Sequence, residues 1–243
     1  MPSVLLLRLE APLVAFGDIM VDARGPVTDL PSASMLTGLI ANALGYRREE
    51  RAALQRLQDR LVHASRLDQS AGRFTEFQTA KLDKSDEGWT TRGRPEGRAG
   101  GDGSYVGPHL RFRDHHADVC VHVALRLDPA DEPPDLAAIA AALVEPARPL
   151  FIGRKPCLPS GRIFAGLMEA ETLLAALIAT PLAGKSSAGR VLVDLPRLEV
   201  PPADFRRVHR SDRRDFAAGV HTGDSTRWEG SLPCDDFAKG GAA

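Results

Sequence analysis

Cysteine is scarce in this chain of 243 residues, and its three copies lie far apart. Cys120, Cys157 and Cys234 form no CxxC pair, which argues against a zinc ribbon and a disulfide scaffold and fits a reducing compartment. No apolar run approaches the roughly 18 residues of a membrane span. The opening MPSVLLLRLEAP has no basic stretch and too short an apolar run for a signal peptide. We therefore expect a soluble, cytoplasmic protein that does not contact a membrane.

Aromatic residues make up only 5% of the chain, and the formal net charge is -1. These values argue against a uniformly basic nucleic-acid coat and against a broad base-stacking surface. The type of cation is more informative, because 26 arginines stand against 5 lysines. A guanidinium group suits phosphate binding and base stacking, whereas a high genomic GC content would also replace lysine by arginine. Composition alone leaves both explanations open.

The predicted elements follow the order strand, helix, strand, strand, helix, strand, which is typical of a ferredoxin-like or RRM-like core. We predict strands at residues 4–9, 62–67, 118–127 and 163–169, and helices at 34–44, 49–61 and 134–144. The fold class is therefore α+β. We place the core at residues 1–170 and a smaller C-terminal extension at residues 171–243.

The segment 72–110 is polar and rich in glycine, and it interrupts the core between its second and third strands. A structureless segment of this length inside a domain is unusual and is often functional. We therefore expect an inserted β-hairpin thumb, or arm, over about residues 72–113. Phe74 and Phe112 lie near its two ends and are expected to pack in the core.

Two segments carry features that suit an anion. The stretch DARGPVTDLPSASMLTGLIANALG places Arg24 before a helix that begins near Ser32 and Ser34. A helix start attracts anions through its free amides and its dipole. The stretch FIGRKPC places Arg154 and Lys155 directly after a glycine turn. Each serine can equally be only a helix cap, and each cation only a surface charge. Because the chain shows no catalytic signature, we favour a polyanion as ligand, with RNA first.

Histidines and a basic run need separate interpretation. His116 and His122 would share a face of the strand 118–127, but a metal site needs a tighter ligand pattern, so we expect no metal and no cofactor. The polar residues of that strand are expected to form an outer, solvated sheet face. The run RRVHRSDRR at 206–214 is either a solvated face or a patch that docks RNA or a partner.

Four segments, taken in order, resemble the CasD-type subunits of the type I-E CRISPR surveillance complex, Cascade, of the repeat-associated RNA-binding superfamily. They are LRLEAPLVAFGD, RGPVTDLPSASMLTGLIANALG, RDHHADVCVHVAL and FIGRKPCLPSGRIF. The resemblance implies an RRM-like core with a thumb that binds the repeat-derived 5′ tag of the guide RNA and caps the filament of backbone subunits. Its partners would be the CRISPR guide RNA, the backbone subunits and the large subunit, with target DNA reached indirectly.

We predict RNA binding by Arg24, Ser32, Ser34, Arg111, Arg113, Arg154 and Lys155. No catalytic residue is expected, although two alternatives stay open. A type I-C relative matures the guide as a metal-independent endoribonuclease, and His115 or His116 with Lys155 or Tyr105 could take such roles here. The other alternative is a scaffold that joins protein subunits and contacts little RNA.

Overall fold

The structure, a computed structural model, describes residues 1–20, 22–81, 88–89, 95–96, 107–183 and 189–238. The strands are β1 Ser3–Val14, β2 Arg24–Gly25, β3 Leu61–Gln69, β4 Gly72–Ala80, β5 Gly88–Trp89, β6 Pro95–Glu96, β7 His109–Leu127, β8 Phe164–Glu169, β9 Arg190–Pro196, β10 Arg206–Asp215 and β11 Val220–Pro233. The helices are α1 Ala33–Leu44, α2 Arg51–Arg60, α3 Leu136–Val144 and α4 Leu173–Ala179. The protein is α+β, as predicted. Among the helices described, none combines the length and apolar character needed to cross a bilayer.

Local capping signals explain where three of these helices begin. The Ser32 hydroxyl accepts a hydrogen bond from the Met35 amide at the start of α1. Asp135 and Thr172 cap α3 and α4 in the same way. Each cap satisfies an amide that has no partner within its own helix. Helix α1 ends at Gly45, whose left-handed φ of 81° favours glycine. The predicted start and end of this helix are confirmed.

Seven strands follow one another across a sheet in the order β10, β11, β9, β3, β7, β1, β8, and β2 and β4 add to β7. The centre is antiparallel, with Leu5 of β1 opposite Leu125 of β7. Along the chain, β1, α1 with α2, β3, β7, α3 and β8 occur in the predicted order of strands and helices. The description of this unit as ferredoxin-like or RRM-like stays a prediction.

Both faces of the central sheet are buried. One face packs Leu5, Leu7 and Val121 against α1, α2 and α3. The opposite face, with Leu6 and Ala124, lies under α4 and the apolar residues of β9. The expectation of a solvated outer face on strand 118–127 is therefore wrong, because α4 and the segment that follows it cover that face.

A buried arginine joins the sheet to this C-terminal covering layer. The fully buried Arg66 of β3 donates hydrogen bonds from its Nε and Nη2 atoms to the carboxylate of Asp68. Its Nη1 and Nη2 atoms also donate to the carbonyls of Leu177, Thr180 and Pro181, at and after the end of α4. Burial alone would raise the pKa of Asp68, but hydrogen bonds from His122 and Arg66 outweigh it and hold the pKa below its ordinary value. The covering layer is thus fixed to the sheet, and the proposed boundary at residue 170 stays a prediction.

Strand β7 is 19 residues long and serves both the central sheet and the arm. Its second half lies between β1 and β3, whereas residues 109–117 pair with β4. Asp118, with a left-handed φ of 47°, separates the two halves. The predicted arm therefore begins as β4 paired with β7. Its residues 82–87, 90–94 and 97–106 lie outside the described residues.

Candidate nucleic-acid interface

The base of the arm is formed where the two-residue strand β2 pairs in parallel with β7. This pairing places Arg24 opposite Phe112, and Gly25 opposite Arg113. The Phe112 amide also donates to the Ala23 carbonyl over 2.9 Å. Arg24 is exposed, and its Nε atom lies 4.0 Å from a carboxylate oxygen of Asp114. A contact at this distance in water holds a guanidinium only weakly, so Arg24 keeps its charge available to a ligand.

Arg154 reaches the same place from the loop that follows α3. Its Nη2 atom donates to the Gly25 carbonyl over 2.9 Å, and its Nη1 atom to the Asp114 carbonyl over 2.7 Å. A Cβ atom on Gly25 would lie 3.0 Å from Arg154 Nη2 and 3.5 Å from Arg113 Nη1, so both guanidinium groups flank this glycine. Burial and the nearby charge of Arg113 lower the pKa of Arg154. Arg154 thus holds β2 against β7.

The loop before Arg154 needs glycine at position 153. Gly153 has a φ of 90°, in the left-handed region, and a Cβ atom there would lie only 1.8 Å from the Ala15 carbonyl oxygen. Any other residue would push the loop away from the end of β1. The predicted glycine turn is therefore the feature that directs Arg154 to the arm base, while the neighbouring Lys155 is exposed.

Arg111 and Arg113 alternate along β7, so both side chains lie on one face of the arm. Their register partners on β4 are Gln78 and Glu76, respectively. Arg111 is half-buried and donates to the Leu110 carbonyl. The arm base therefore combines cations from three distant segments: residues 24, 111–113 and 154–155.

The two predicted serines lie at the start of α1 and make local contacts. Their hydroxyl groups are 3.1 Å apart, and Ser32 also caps the helix. The Ala33 amide faces Asp212 Oδ2 of β10 at 3.5 Å. No hydrogen bond or ion pair among the described residues links Ser32 or Ser34 to the arm base. A carboxylate of the chain itself thus approaches the helix start that was predicted to attract phosphate.

Aromatic side chains lie on the surface of the arm. Phe74 and Phe112 are each 40% exposed, so the expectation that they pack in the core is wrong. Phe74 stacks on the ring of His115 with a centroid distance of 5.4 Å, and Phe112 contacts Phe77 at 5.2 Å. Among the described residues, Phe74 and Phe112 lie outside the hydrophobic core clusters, because β4 and the first half of β7 extend beyond the central sheet.

The histidines near the arm base are held in fixed hydrogen bonds. His115 is buried, its Nδ1 atom lies 3.1 Å from the Arg113 carbonyl, and its Nε2 atom lies 3.5 Å from Arg154. Burial and the charge of Arg154 lower the pKa of His115. His116 is also buried, with Nε2 2.8 Å from the Thr28 carbonyl. Tyr105 lies outside the described residues. Within the described ranges, no group of three or more His, Cys, Asp or Glu side chains is arranged to hold a metal ion.

Fold and site define an α+β protein with an arm whose base carries clustered arginines. The sequence model of the family described as "CRISPR-associated protein (Cas_Cas5)" matches residues 4–228. The chain belongs to this family of CRISPR-associated proteins, and its resemblance to CasD-type subunits is confirmed.

Individual relatives agree with the family match. The chain is 25% identical over 181 residues to the "CRISPR system Cascade subunit CasD" of Escherichia coli (strain K12), covering 73% of this chain and 77% of that protein. A chain of a structure titled "CRISPR RNA-guided surveillance complex" is 22% identical, with a TM-score of 0.64 over 95% of this chain and 89% of that one. A structure titled "Crystal structure of Cas protein" is 25% identical, with a TM-score of 0.62 over 98% of each chain.

Proposed function

We propose that this protein is a non-catalytic, RNA-binding subunit of a type I-E CRISPR surveillance complex in the cytoplasm. Its arm base contacts the repeat-derived 5′ tag of the guide RNA. It caps the filament of backbone subunits, adjoins the large subunit and meets target DNA only indirectly. Family membership and the name of the Escherichia coli relative, a Cascade subunit, support this assignment.

The observation that carries the proposal is the convergence of cations at the arm base. Arg24, Arg113 and Arg154 come from segments far apart in the chain, yet they surround one glycine, Gly25. Asp114 and Glu76 are the carboxylates placed against them by an ion pair or strand register. A surplus of guanidinium groups on an exposed strand pair suits the backbone of a single RNA strand.

The individual roles within this site differ. Arg24 and Lys155 are exposed and contact phosphates, with Arg111 and Arg113 beside them on the arm. Arg154 uses two of its donors on backbone carbonyls and positions Gly25 for close approach of the RNA. Ser32 and Ser34 contribute to RNA binding at the start of α1. This requires that Asp212 moves away from the Ala33 amide, or that Asp212 accepts a hydrogen bond from a donor that bridges it to the RNA.

The state of the histidines favours a binding role over the nuclease alternative. A general base must reach the 2′-hydroxyl group whose proton it removes. His115 stacks under Phe74 and contacts protein partners at both ring nitrogens, and His116 is buried beside Thr28. Both rings are buried and held by protein partners, so among the described residues neither histidine presents a free nitrogen to a 2′-hydroxyl group.

The first experiment is to recover the tagged protein from its host and to sequence the 5′ ends of the RNA that accompanies it. We expect uniform ends that carry a short repeat-derived tag, together with other complex subunits. Partners without RNA would favour the scaffold alternative. Cleavage of repeat RNA by the purified chain in the presence of EDTA would favour the nuclease.

The second experiment tests the arm base directly with Arg24→Ala/Arg113→Ala. Loss of two phosphate contacts should weaken tag RNA binding and reduce the slope of log K against log salt by about 1.4, since each contact to a single strand contributes about 0.7. The control is Arg162→Ala/Arg197→Ala, which removes two exposed arginines elsewhere. Equal guide retention by both variants would refute the assignment.

A further inference from the structure

A second basic surface lies away from the arm, in a groove between the helices and the β10–β11 hairpin. The groove has a volume of about 940 Å³. Five arginines line it, against Glu49 as the one carboxylate among the described lining residues. The arginines are Arg47, Arg48, Arg51, Arg148 and Arg214. An adjoining depression of about 600 Å³ shares Arg51 and Arg214 and is also lined by Asp215, so the surface is longer than a single phosphate group requires and stays mainly basic.

Three of these arginines are positioned by backbone carbonyls and not by carboxylates. Arg51 donates to the Ala217 carbonyl, Arg214 to the Gly219 carbonyl, and Arg148 to the carbonyls of Gly45 and Tyr46. Among the described residues, Arg51, Arg148 and Arg214 form no ion pair. A carbonyl fixes the direction of a guanidinium group but leaves its full charge in place. These three guanidinium groups therefore present oriented positive charge that no ion pair among the described residues neutralises.

The hairpin wall is fixed to α2 by side-chain hydrogen bonds. Gln58 both accepts from the Arg214 amide and donates to the Arg214 carbonyl, and Gln55 accepts from the Phe216 amide. Arg213 forms an ion pair with Asp59 of α2 at 2.5 Å. These contacts hold the hairpin turn at a constant distance from the helices. The groove is thus preformed in the chain without a ligand.

Aromatic side chains accompany the charges. Tyr46, Phe151 and Phe216 line the groove and are only partly buried. Gly38 forms part of the floor, and a Cβ atom there would meet nothing within 4 Å, so the floor is open above the helix backbone. A cationic groove with accessible aromatic rings is the arrangement that binds single-stranded nucleic acid without strict sequence preference.

We propose that this groove is a second nucleic-acid site, which holds the backbone of a single strand of RNA or DNA with little dependence on sequence. An acidic protein segment is a less good match, because carboxylates would use the arginines but not the partly exposed faces of the three aromatic rings. The site shares no residue with the arm base, so its occupancy does not depend on recognition of the guide tag.

The test measures fluorescence anisotropy of labelled 20-nucleotide oligo(rU) and oligo(dT) with the purified full-length chain. Gly38→Glu introduces a carboxylate on the groove floor and should weaken binding at least tenfold. Its matched control is Gly38→Ala, which should bind as wild type. Both changes raise helix propensity relative to glycine, so equal or higher unfolding midpoints will show that the fold is intact.

A second pair of variants measures how much the groove arginines contribute to the salt dependence of binding. Arg47→Ala/Arg51→Ala should reduce the salt slope by about 1.4, whereas the equally charged Arg162→Ala/Arg197→Ala control should change it little. A preference for one of the two oligonucleotides would show whether the groove binds RNA or DNA, and it would support the proposal. The proposal is overturned if Gly38→Glu binds normally or if Arg24→Ala/Arg113→Ala weakens oligonucleotide binding more than the groove variants. It is also overturned if neither oligonucleotide binds while labelled poly-glutamate does.

Discussion

Substitution of Arg66 by methionine should be among the most damaging single changes in the protein. The side chain is fully buried, and its five N–H groups donate to the Asp68 carboxylate and to the three carbonyls at the end of α4. Among the described residues, Arg66→Met leaves the buried Asp68 charge with His122 and the Ala183 amide as its remaining hydrogen-bond partners. Removal of one member of a buried ion pair costs about 3–5 kcal/mol.

The expected loss can be measured by urea unfolding and by the thermal midpoint. A loss of about 4 kcal/mol corresponds to a midpoint lower by about 8–16 °C in a domain of this size. Arg66→Met/Asp68→Leu removes both charges and should recover about half of the loss or more. Arg56→Met breaks an exposed pair with Glu132 and should leave the midpoint nearly unchanged. A loss below about 1 kcal/mol for Arg66→Met would show that the covering layer is not anchored by this residue.

Three further changes test other parts of the structure. Ser32→Ala removes the acceptor of the Met35 amide and should lower the free energy of unfolding by about 1 kcal/mol in urea titrations; no loss would mean that water replaces the cap. Burial lowers the pKa of His63 well below its ordinary value, so the unfolded chain binds a proton that the folded chain does not. Stability should therefore fall by about 1.3 kcal/mol from pH 7 to pH 5.5 through this group, and His63→Leu should flatten the measured pH dependence by that amount. Gly153→Ala should lower the free energy of unfolding by about 3 kcal/mol in thermal unfolding, because residue 153 has a left-handed φ and a Cβ atom there would meet Ala15. A Cβ atom on Gly166 would meet no neighbour, so an equal loss for Gly166→Ala would contradict this reasoning.

Local features of the sequence predicted much of the fold. The cap at Ser32, the end at Gly45 and the apolar spacing between them are all short-range signals, and α1 occupies the predicted place. The first strand was also predicted, and alternation within its continuous apolar segment places Leu5 and Leu6 on opposite, buried faces of β1. The covering of the second sheet face could not be predicted, since it depends on where α4 packs after the chain has turned back.

The role of arginine was the main feature that composition could not resolve. Several arginines donate to backbone carbonyls inside the protein, and neither phosphate binding nor codon bias predicts this use. Examples are Arg60 at Pro129 and Arg227 at His63. The proximity of Arg24 to Arg113 could not be predicted from the sequence either, because β2 is only two residues long and carries no periodic pattern. Short parallel pairings of this kind are decided by tertiary packing.

The continuity of β7 gives the arm the mechanics of a cantilever. One half of the strand is hydrogen-bonded on both edges, to β1 and β3, and the other half carries β4 and the arm base. A force on the half that carries the arm is transmitted to the half that is paired with β1 and β3. If that paired half slipped by one residue, the Val121 side chain would turn out of the core. We therefore expect the backbone at Asp118 to determine how far the arm base can move relative to the helical layer.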